Sequence, residues 1–477
     1  MGDNFAETGA AIIGKAVLAA AEFSQFTQVQ TDAVVEAVFR AGFANRVRLA
    51  RMAREETGMG IWEHKVIKNV LGSQLVYESI KDEKTVGVIS SDPKTGITEI
   101  AQPLGPVLAV IPVTNPTSTV LYKILICLKS RNPIIISAHR GAARCCAETV
   151  RICCEAATAA GAPEDCIQIL PSGNREFTQA MMSHPKIALI LATGGTGLVK
   201  AAYSSGNPAI GVGPGNVPVF IDVSADIPFA VSSIISSKTF DNGMICASEQ
   251  AVVMEKSIET EVRREFERQH CHFLPDEDIR KVEKVAIVPE TGGMNPSIVG
   301  QPVRVIAERA GISVPSGTRI LVAELEGIGS GYPLSVEVLA PILAYYRAVS
   351  YPDAINHCID LNYLGGIGHT ACIYSNNEQH ILEFSQLMNA GRILVNTPTS
   401  QGAVGYFHNS LPPSLTLGCG TGGKNITTEN ITARHLINIQ RVSRRKQNQL
   451  WSGFDSSKYF DETLSDDDIL KDYYKNH

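Results

Sequence analysis

The sequence predicts an α/β protein with parallel sheets, and three observations support this fold class. From Val107 onward, short apolar runs alternate with helical segments, a pattern typical of a parallel sheet covered by helices on both faces. A second alternating block begins near Pro228. The chain has 477 residues, more than one hydrophobic core usually organises, so two or three compact lobes are expected.

Composition excludes several classes of protein. Hydrophobic residues make up 44% of the chain and charged residues 19%, with 40 Gly and 24 Pro, which is typical of a globular enzyme and not of a disordered or fibrous protein. The net charge is −6 and the basic residues form no stripe, so no nucleic-acid partner is predicted. No apolar run reaches the roughly 18 residues of a membrane span, and the N-terminus does not resemble a signal peptide, so no membrane partner is predicted.

The cysteine pattern indicates a cellular compartment. The 11 cysteines are an odd number, and their spacings match neither a zinc ribbon nor a disulfide framework. Reduced thiols, a cytoplasmic location and no metal site are therefore expected.

Helices and a hairpin precede the first predicted sheet. Apolar residues at helical spacing, including Val34, Val38 and Leu49, predict two or three amphipathic helices that serve as packing elements. Next, the runs TVGVIS and ITEIAQPLG flank the turn DPKTG, which predicts a β-hairpin at about residues 84–103. A hairpin that projects from a lobe often serves the assembly of subunits.

The first sheet is predicted to form a Rossmann-like lobe. Its strands are VLAVIP, PIIISA, CIQILP and IALILAT, and helices separate them. IALILAT leads into GGTG and a helix start, and such a junction directs backbone N–H groups toward a phosphate. Gly194, Gly195 and Thr196 are therefore candidate cofactor residues. Because the motif is not GxGxxG, a glycine turn needed only for tight packing of strand against helix is the alternative.

The second block predicts another α/β lobe, with strands from AVVMEK through PILAYYRAV and HTACIYS to ILVNTP. The expected organisation is a dinucleotide-binding domain at 1–227, a catalytic domain at 228–400, a segment at 401–445 that returns to the cofactor domain and to the assembly element, and a polar tail at 446–477. The tail contains an acidic cluster at 466–468.

The segment SKTFDNGMICASEQ contains the candidate nucleophile. Cys246 lies between a glycine turn and a predicted helix that begins at ASEQ. A thiol at a helix N-terminus has its thiolate stabilised by the helix dipole, so a lowered pKa is expected for Cys246. The alternative is a small core residue, which is how the other cysteines are interpreted.

Five motifs together carry a family resemblance. SKTFDNGMICASEQ, ATGGTGLVKAAYSSG, GVGPGNVPVFID, GGIGHT and SLTLGCGTGG resemble the CoA-acylating branch of the aldehyde dehydrogenase superfamily. They are most similar to the aldehyde dehydrogenase half of the bifunctional aldehyde-alcohol dehydrogenases, from about residue 20 to about residue 450. The resemblance implies an aldehyde dehydrogenase-like fold with a hairpin for oligomerisation. The chain contains no segment that resembles the iron-dependent alcohol dehydrogenase half, so alcohol formation is not expected.

The resemblance implies roles for three residues in catalysis. Cys246 matches the nucleophile that attacks the aldehyde carbonyl. Asn115, in IPVTNP, matches the asparagine that stabilises the oxyanion together with the Cys246 N–H, whereas an Asn-Pro turn is the alternative. His369, in GGIGHT, matches a histidine of this branch that, titrating near neutrality, would help to deprotonate the CoA thiol, whereas a histidine with only a structural role is the alternative.

The resemblance also implies a nicotinamide cofactor, NADP or NAD. The turn at 194–196 would lie against the dinucleotide, with Thr114 nearby, and Glu337, in VEVLAP, would hold the nicotinamide ribose unless it is an exposed glutamate at a strand edge. After the second strand the chain reads SAHRGAAR, with Ser137 and Arg140 at candidate cofactor positions and no carboxylate beside the ribose. NADP is therefore permitted.

The acyl acceptor is inferred from a missing carboxylate. Where hydrolytic members of the superfamily have a glutamate that activates water, GVGPGNVP places Val212. Since valine cannot act as a base, coenzyme A is the expected co-substrate and acyl-CoA the product, in a reversible reaction. The rival interpretations are a hydrolytic dehydrogenase that releases a carboxylate and a non-catalytic assembly protein of the same fold.

The substrate and the assembly are the least determined features. His408, in GYFHNS, and Lys424, in CGTGGKN, add polar or cationic groups where the acyl pocket is expected. They permit an anionic aldehyde such as sulfoacetaldehyde or succinate semialdehyde instead of acetaldehyde. The alternative is that these two positions are surface residues that differ from the related proteins without a role in binding substrate. The resemblance implies a homodimer or homotetramer in which the C-terminal strand region completes the hairpin sheet of a neighbouring subunit.

Overall fold

The computed structural model describes residues 2–171, 174–445 and 455–475. Over these ranges, no helix is long and apolar enough to cross a membrane. The chain divides into two units. The larger consists of the described residues up to Thr85 together with Pro103–Ile437, and the smaller of Val86–Gln102 together with the described residues from Asn438 onward.

The described chain alternates helices and strands from the third strand onward. The strands are β1 (Gly87–Asp92), β2 (Ile97–Pro103), β3 (Val107–Ile111), β4 (Ile134–Ala138), β5 (Ile167–Ile169), β6 (Leu189–Thr193), β7 (Ala209–Val212), β8 (Val217–Ile221), β9 (Glu249–Glu255), β10 (Cys271–Phe273), β11 (Ile320–Glu324), β12 (Ile342–Ala348), β13 (Gly368–Tyr374), β14 (Ala390–Val395) and β15 (Ile437–Ser443). The α-helices are α1 (Gly2–Phe23), α2 (Gln28–Ala44), α3 (Arg46–Thr57), α4 (Trp62–Val70), α5 (Val76–Ile80), α6 (Pro116–Lys129), α7 (Ala143–Ala159), α8 (Arg175–Met182), α9 (Thr196–Tyr203), α10 (Ile227–Thr239), α11 (Glu259–Arg268), α12 (Asp276–Ala286), α13 (Val303–Ala310), α14 (Tyr351–Gly365), α15 (Glu378–Leu387), α16 (Thr399–Val404), α17 (Ser456–Tyr459) and α18 (Asp466–Lys475).

The larger unit contains two parallel sheets, which confirms the predicted fold class. The first has five strands in the order β5-β4-β3-β6-β7. From β3 the chain adds β4 and β5 on one side, and it then returns to add β6 and β7 on the other side, so the strand order switches between β3 and β6. The carboxyl ends of strands at such a switch point form the usual crevice for a dinucleotide. The predicted Rossmann-like lobe therefore has its ligand edge where β3, β4 and β6 end.

The second sheet has seven parallel strands in the order β10-β11-β12-β9-β8-β13-β14. Its strands are almost wholly buried, which explains their continuous apolar sequences. The sheet includes β8, so the boundary that the sequence suggested at residue 228 lies inside α10, after the sheet has begun.

Helix α6 connects the first sheet to the site described below. Every one of its residues is buried, so the helix is surrounded by the protein and presents no face to solvent. Its one mid-helix charge is satisfied, because Lys123 Nζ donates to the carbonyl oxygens of Val110 at 2.8 Å and Leu191 at 2.9 Å. The helix begins at Pro116, a favourable first helical residue, with Asn115 at the N-cap position.

The smaller unit is a three-stranded sheet in the order β1-β2-β15, followed by α17 and α18. The predicted hairpin is confirmed, because β1 and β2 pair antiparallel around a turn that ends at Gly96. Strand β15 completes the hairpin sheet of its own chain, with Arg441 Nε 3.0 Å from Glu99 Oε1, so the expectation that it completes a neighbour's sheet is wrong. Of the predicted tail, 446–454 and 476–477 lie outside the described residues.

Candidate active site

Cys246 lies in a turn at the start of the central strand of the second sheet. The predicted helix after it is wrong: residues 246–248 form a turn and β9 begins at Glu249, because EQAVVME contains the adjacent β-branched Val252 and Val253 of a buried strand. No helix dipole therefore acts on the sulfur. Burial, together with the charge of Glu337, raises the pKa of Cys246 to about 12, the opposite of the lowered pKa that we expected.

His369 lies beside this thiol. Its Nε2 lies 3.3 Å from Cys246 Sγ, and its Nδ1 lies 3.0 Å from Thr370 Oγ1. With Nδ1–H donating to Thr370, Nε2 is free to accept the thiol proton. Burial and the nearby Arg392 charge lower the pKa of His369 to about 3, so the ring is neutral at neutral pH and does not titrate there as expected from the sequence.

Arg392 is a support of this pair that the sequence analysis missed. Its NH2 group donates to the carbonyl oxygens of His369 at 2.6 Å and Gly418 at 2.7 Å, and its NH1 group donates to Thr428 O at 3.2 Å. The side chain is buried in β14, beside the strand that begins at Gly368. In the sequence, a single arginine in GRILV resembles an ordinary charged residue at the edge of a strand. Nothing in the neighbouring residues indicated that Arg392 lies in the site.

The GVGPGNVP segment touches both residues of the pair. A side chain at Gly215 would place its Cβ 2.3 Å from the Cys246 carbonyl oxygen and 3.0 Å from the His369 ring, so only glycine fits there. The Gly215 N–H donates to Glu337 Oε1 at 2.9 Å. Burial raises the pKa of Glu337 to about 7, while this hydrogen bond opposes the rise. Glu337 thus lies in the same site and not at an exposed strand edge.

Asn115 reaches the site from the other sheet. Although it occupies the N-cap position of α6, its side chain makes no capping hydrogen bond. Its Oδ1 instead accepts from Lys68 Nζ at 2.6 Å, and its Nδ2 donates to Thr114 Oγ1 at 3.2 Å. Lys68 Nζ also donates to Met244 O at 2.9 Å, two residues before the nucleophile, which brings Asn115 and Cys246 to one place.

A buried ion cluster of Lys65, Lys68 and Asp241 lies behind the nucleophile. Asp241 Oδ2 accepts from Lys65 Nζ at 3.0 Å and from Lys68 Nζ at 2.5 Å, and all three side chains are at most 3% exposed. Burial alone would raise the pKa of Asp241, but the charges of Lys68 and Lys65 lower it below its usual value. The sequence analysis missed this cluster, since lysines three apart on a short helix usually face solvent.

The same loop contains an unusual backbone. Asp241 and the next residue, Asn242, both have left-handed φ angles, 51° and 54°. Hydrogen bonds hold them there: Ile61 N–H donates to Asp241 Oδ1 at 2.7 Å, Asp241 N–H donates to His64 Nδ1 at 2.8 Å, and Asn242 Nδ2 donates to Gly300 O at 2.9 Å. The loop that carries the nucleophile is therefore shaped by α4, which we had interpreted only as packing.

The predicted cofactor turn lies between β6 and α9. Gly195 is the N-cap residue of α9, no side chain caps the helix, and a Cβ at Gly195 would meet nothing within 4 Å. A Cβ at Gly194 would lie 2.7 Å from Leu198, so this glycine serves packing, as the alternative proposed. Thr196 is exposed, and no side-chain cap occupies the start of the helix, although the Leu198 N–H donates to Gly195 O at 3.0 Å; this helix start fits a pyrophosphate.

The end of β4 differs from the sequence-based expectation. Ser137 is buried, and its Oγ lies 2.8 Å from Thr178 Oγ1, whereas Arg140 is exposed in the turn that follows. Glu56, a carboxylate that the local sequence does not contain, lies at the start of the next helix, where it accepts from the N–H groups of Arg144 at 2.9 Å and Cys145 at 2.7 Å. Burial would raise the pKa of Glu56, but these hydrogen bonds hold it below its usual value. Glu56 precedes Arg144 by 88 residues, too far for the local sequence to reveal it.

The remaining candidates lie outside the nucleophile's contacts. Val212 is buried at the end of β7 and offers no base. His408 and Lys424 are exposed on loops after α16, and no hydrogen bond or ion pair among the described residues joins either of them to Cys246. The structure thus brings together Cys246 and His369 but not these two cations.

Comparisons with known proteins show which proteins this chain is similar to. A model described as the aldehyde dehydrogenase family matches residues 4–273. The bifunctional aldehyde-alcohol dehydrogenase AdhE of Escherichia coli (strain K12) is 46% identical over 479 residues, 99% of this chain and 53% of that protein. The succinate-semialdehyde dehydrogenase (acetylating) of Clostridium kluyveri is 37% identical over 90% of this chain and 94% of that protein.

Solved structures extend the likeness to the three-dimensional fold. A crystal structure of an acetylating aldehyde dehydrogenase from Geobacillus thermoglucosidasius matches with a TM-score of 0.91 and 46% identity, covering 93% of this chain and 98% of that one. The chain spans about half the length of the first curated relatives that it matches. Since the family model covers more than half of the chain and acetylating relatives match over nearly their whole lengths, this chain belongs to the aldehyde dehydrogenase family.

Proposed function

We propose that this protein oxidises a short-chain aldehyde with NAD(P) and coenzyme A to an acyl-CoA, through a thioester on Cys246. The observation that carries the proposal is the Cys246 Sγ to His369 Nε2 pair at 3.3 Å. Val212, which the resemblance aligns with the water-activating glutamate of hydrolytic members, is buried and offers no base. The relatives named as acetylating enzymes support it.

The acylation step uses a neutral thiol–imidazole pair. Because burial raises the pKa of Cys246 to about 12 and lowers that of His369 to about 3, both groups are mainly neutral before substrate arrives. His369 Nε2 takes the thiol proton as the sulfur–carbon bond forms, and Asn115 Nδ2 and the Cys246 N–H donate to the developing oxyanion. A bound nicotinamide dinucleotide supplies the hydride acceptor that oxidation of the aldehyde requires. The Gly195 turn would bind its pyrophosphate and Glu337 its ribose hydroxyls.

Transfer of the acyl group to CoA uses the same two side chains, Cys246 and His369, with the proton now passing from the ring to the Cys246 sulfur. The ring first releases the acylation proton to solvent; the CoA thiol then gives its proton to His369 and attacks the thioester carbon, and the Cys246 sulfur leaves and regains that proton from the ring. Water is a weaker nucleophile than a thiol and would need a strong, well-placed base. His369, with its pKa lowered to about 3, is a poor base for water, so the acyl group persists until a thiol arrives.

We expect steady formation of reduced nicotinamide only when CoA is present. The measurement is absorbance at about 340 nm with acetaldehyde, sulfoacetaldehyde and succinate semialdehyde, each with and without CoA and with each nicotinamide. At most one equivalent of product per chain should form without CoA. A steady rate without CoA would contradict the proposal and favour the hydrolytic alternative.

The same assay decides the aldehyde. We propose a short aldehyde such as acetaldehyde as the first candidate, because His408 and Lys424 are exposed and no hydrogen bond or ion pair in the described part of the chain joins them to Cys246. An anionic aldehyde is the second candidate, which the relative named as a succinate-semialdehyde dehydrogenase favours. A preference for either anionic aldehyde that His408→Ala and Lys424→Ala abolish together would assign these side chains to the substrate.

Glu56 supports NAD as the better cofactor. In nucleotide-binding sheets of this type, residues after the strand next to the switch point contact the ribose 2′ position. The Glu56 carboxylate fills the N-terminus of α7 there and would repel a 2′-phosphate. We expect Glu56→Gln to raise kcat/KM for NADP relative to NAD by roughly tenfold, the effect of about 1–2 kcal/mol of charge repulsion.

The dissociation constants of NAD and NADP for Glu56→Gln, measured by protein fluorescence, should change in the same ratio as kcat/KM. The matched control is Glu148→Gln within α7, the helix that Glu56 caps. The Glu148 carboxylate pairs with Arg48 and Arg151, and the substitution should leave the ratio unchanged. Equal NAD-to-NADP ratios in both variants would refute a role for Glu56.

We further propose a homodimer or homotetramer in the cytoplasm. All 11 cysteines are free, which suits a reducing compartment. The smaller unit supports assembly, because Val88 on β1 and Ile439 and Val442 on β15 are exposed apolar residues on a small sheet. Analytical ultracentrifugation of the purified chain would give the oligomer size.

A further inference from the structure

Lys68 makes an unusual set of contacts for a residue outside the motifs. Its side chain is 2% exposed, and its ammonium donates three hydrogen bonds: to Asn115 Oδ1 at 2.6 Å, to Asp241 Oδ2 at 2.5 Å and to Met244 O at 2.9 Å. An ammonium has three N–H donors, so each has a separate acceptor. The three acceptors belong to the oxyanion-binding asparagine and to the loop before the nucleophile.

The bond to Asn115 determines which way its carboxamide points. A flipped amide would place its NH2 group against the Lys68 ammonium, so the oxygen must face Lys68 and Nδ2 must face away. Among the described residues, Nδ2 has one partner, Thr114 Oγ1 at 3.2 Å, which leaves its second hydrogen for a substrate oxygen. Without Lys68, nothing among the contacts of Asn115 would prevent the flip.

The charge around Asp241 is unbalanced. Lys65 and Lys68 share its single carboxylate, so two buried ammonium groups face one buried carboxylate. A buried excess charge is costly to keep, but it favours any negative charge that develops nearby. The contact between Lys68 and Met244 O places this excess next to the loop where the acyl oxyanion forms.

We propose that Lys68 is a positioning residue for acyl transfer at Cys246: it holds the Asn115 carboxamide with Nδ2 directed at the acyl oxygen and provides a buried positive charge behind it. This inference rests on the proposed function, since it requires an acyl group on Cys246. It does not depend on which aldehyde, nicotinamide or acceptor thiol the protein uses.

Lys65 is a matched control within the same helix. It binds the same oxygen of Asp241, at 3.0 Å, and is equally buried. Its second acceptor is Thr114 O at 3.4 Å and not the Asn115 side chain. Lys65→Met therefore removes the excess charge of the cluster, as Lys68→Met does, while leaving the Asn115 carboxamide held. The difference between the two variants reports the contact with Asn115.

The test uses an acylation that needs no cofactor. p-Nitrophenyl acetate acylates a reactive cysteine through the same oxyanion and releases p-nitrophenolate, so a burst of one equivalent per chain reports the first step alone. We expect Lys68→Met to slow the burst about 100-fold, close to the effect of Asn115→Ala, and Lys65→Met to slow it less than about 5-fold. The aldehyde assay should show the loss in kcat, with KM for the aldehyde within about 3-fold.

A double variant separates positioning from general damage. If Lys68 acts through Asn115, then adding Lys68→Met to Asn115→Ala slows the burst by less than about 5-fold more. Lys68→Gln keeps an N–H donor for Asn115 Oδ1 without the charge, so it should recover part of the rate even if Lys68→Met fails to fold. Thermal midpoints of all variants are measured alongside.

Three results would overturn the inference. The first is a further 100-fold loss of burst rate when Lys68→Met is added to Asn115→Ala. The second is an equal loss of burst rate in Lys65→Met and Lys68→Met, and the third is a folded Lys68→Gln variant whose burst is slower than that of Asn115→Ala. A wild-type burst without CoA-dependent turnover would instead refute the proposed function and leave the inference about Lys68 testable.

Discussion

Cys246→Ala is expected to lower kcat by at least about 10⁴-fold, because no other group in the site can carry the acyl intermediate. His369 Nε2 would lose its partner, and the remaining oxyanion donors cannot replace a covalent step. The measurement is CoA-dependent reduction of nicotinamide, with mass spectrometry of the acylated chain as the direct readout. The acyl adduct of about 42 Da from acetaldehyde should appear on the wild type and be absent from the variant.

Cys419→Ala is the matched control. Cys419 is a second buried cysteine near the site, and its charge is one of the smaller contributions that raise the pKa of Cys246. Its Sγ donates to Leu417 O at 3.2 Å and does not contact His369. The control should retain turnover within a few-fold. If Cys246→Ala kept more than about 1% of the wild-type turnover, and only the double variant with Cys419→Ala lost it, Cys419 would be identified as the nucleophile.

The same variant separates catalysis from assembly. A Cys246→Ala protein with the wild-type sedimentation profile and no turnover would mean that the fold assembles independently of its chemistry. No turnover in either the wild type or the variant, with normal assembly in both, would favour the non-catalytic assembly protein that the sequence left as an alternative.

Asp241→Asn is expected to destabilise the folded chain by about 3–5 kcal/mol, the second-largest effect. The substitution keeps the shape of the side chain but leaves the ammonium groups of Lys65 and Lys68 buried without a counter-charge. Thermal unfolding at several pH values is the measurement. Glu36→Gln, which breaks the exposed pair with Arg40, is the control and should leave the midpoint unchanged.

The loss of stability in Asp241→Asn should depend on pH in a definite direction. Burial already lowers the pKa of Lys68 to about 8, and removing the Asp241 charge lowers it further. The folded variant then releases the Lys68 proton at a lower pH than the unfolded chain, so its free energy of unfolding rises with pH in that window. The deficit relative to wild type should therefore be larger at about pH 6 than at about pH 9. A deficit that grows with pH would contradict the buried-charge account.

Most of the fold could be predicted from the sequence because it depends on local patterns. Continuous apolar runs such as VLAVI and alternating helices identify parallel strands, and the turn DPKTG identifies the hairpin. The helix predicted after Cys246 failed because ASEQ resembles a helix start, whereas its neighbours in space make it the beginning of a buried strand.

The electrostatics of the site could not be predicted in the same way. The pKa of Cys246 depends on burial and on Glu337, and the charge balance behind it depends on α4, which lies far away in sequence. Glu56 was missed for the same reason, since it caps a helix 88 residues later. Motifs identify which residues react, but the groups that tune them come from elements that carry no motif.

The left-handed pair at Asp241 and Asn242 has a consequence for how the protein acquires activity. Two successive non-glycine residues in this conformation are strained, and the partners that hold Asp241 there, Ile61 and His64, lie 180 and 177 residues earlier in the chain. Contacts of such long range form late, because the entropy of closing the loop must be overcome first. During refolding, the thiol of Cys246 should therefore become shielded by the closing sheet before turnover returns, and recovery of activity should follow the docking of α4.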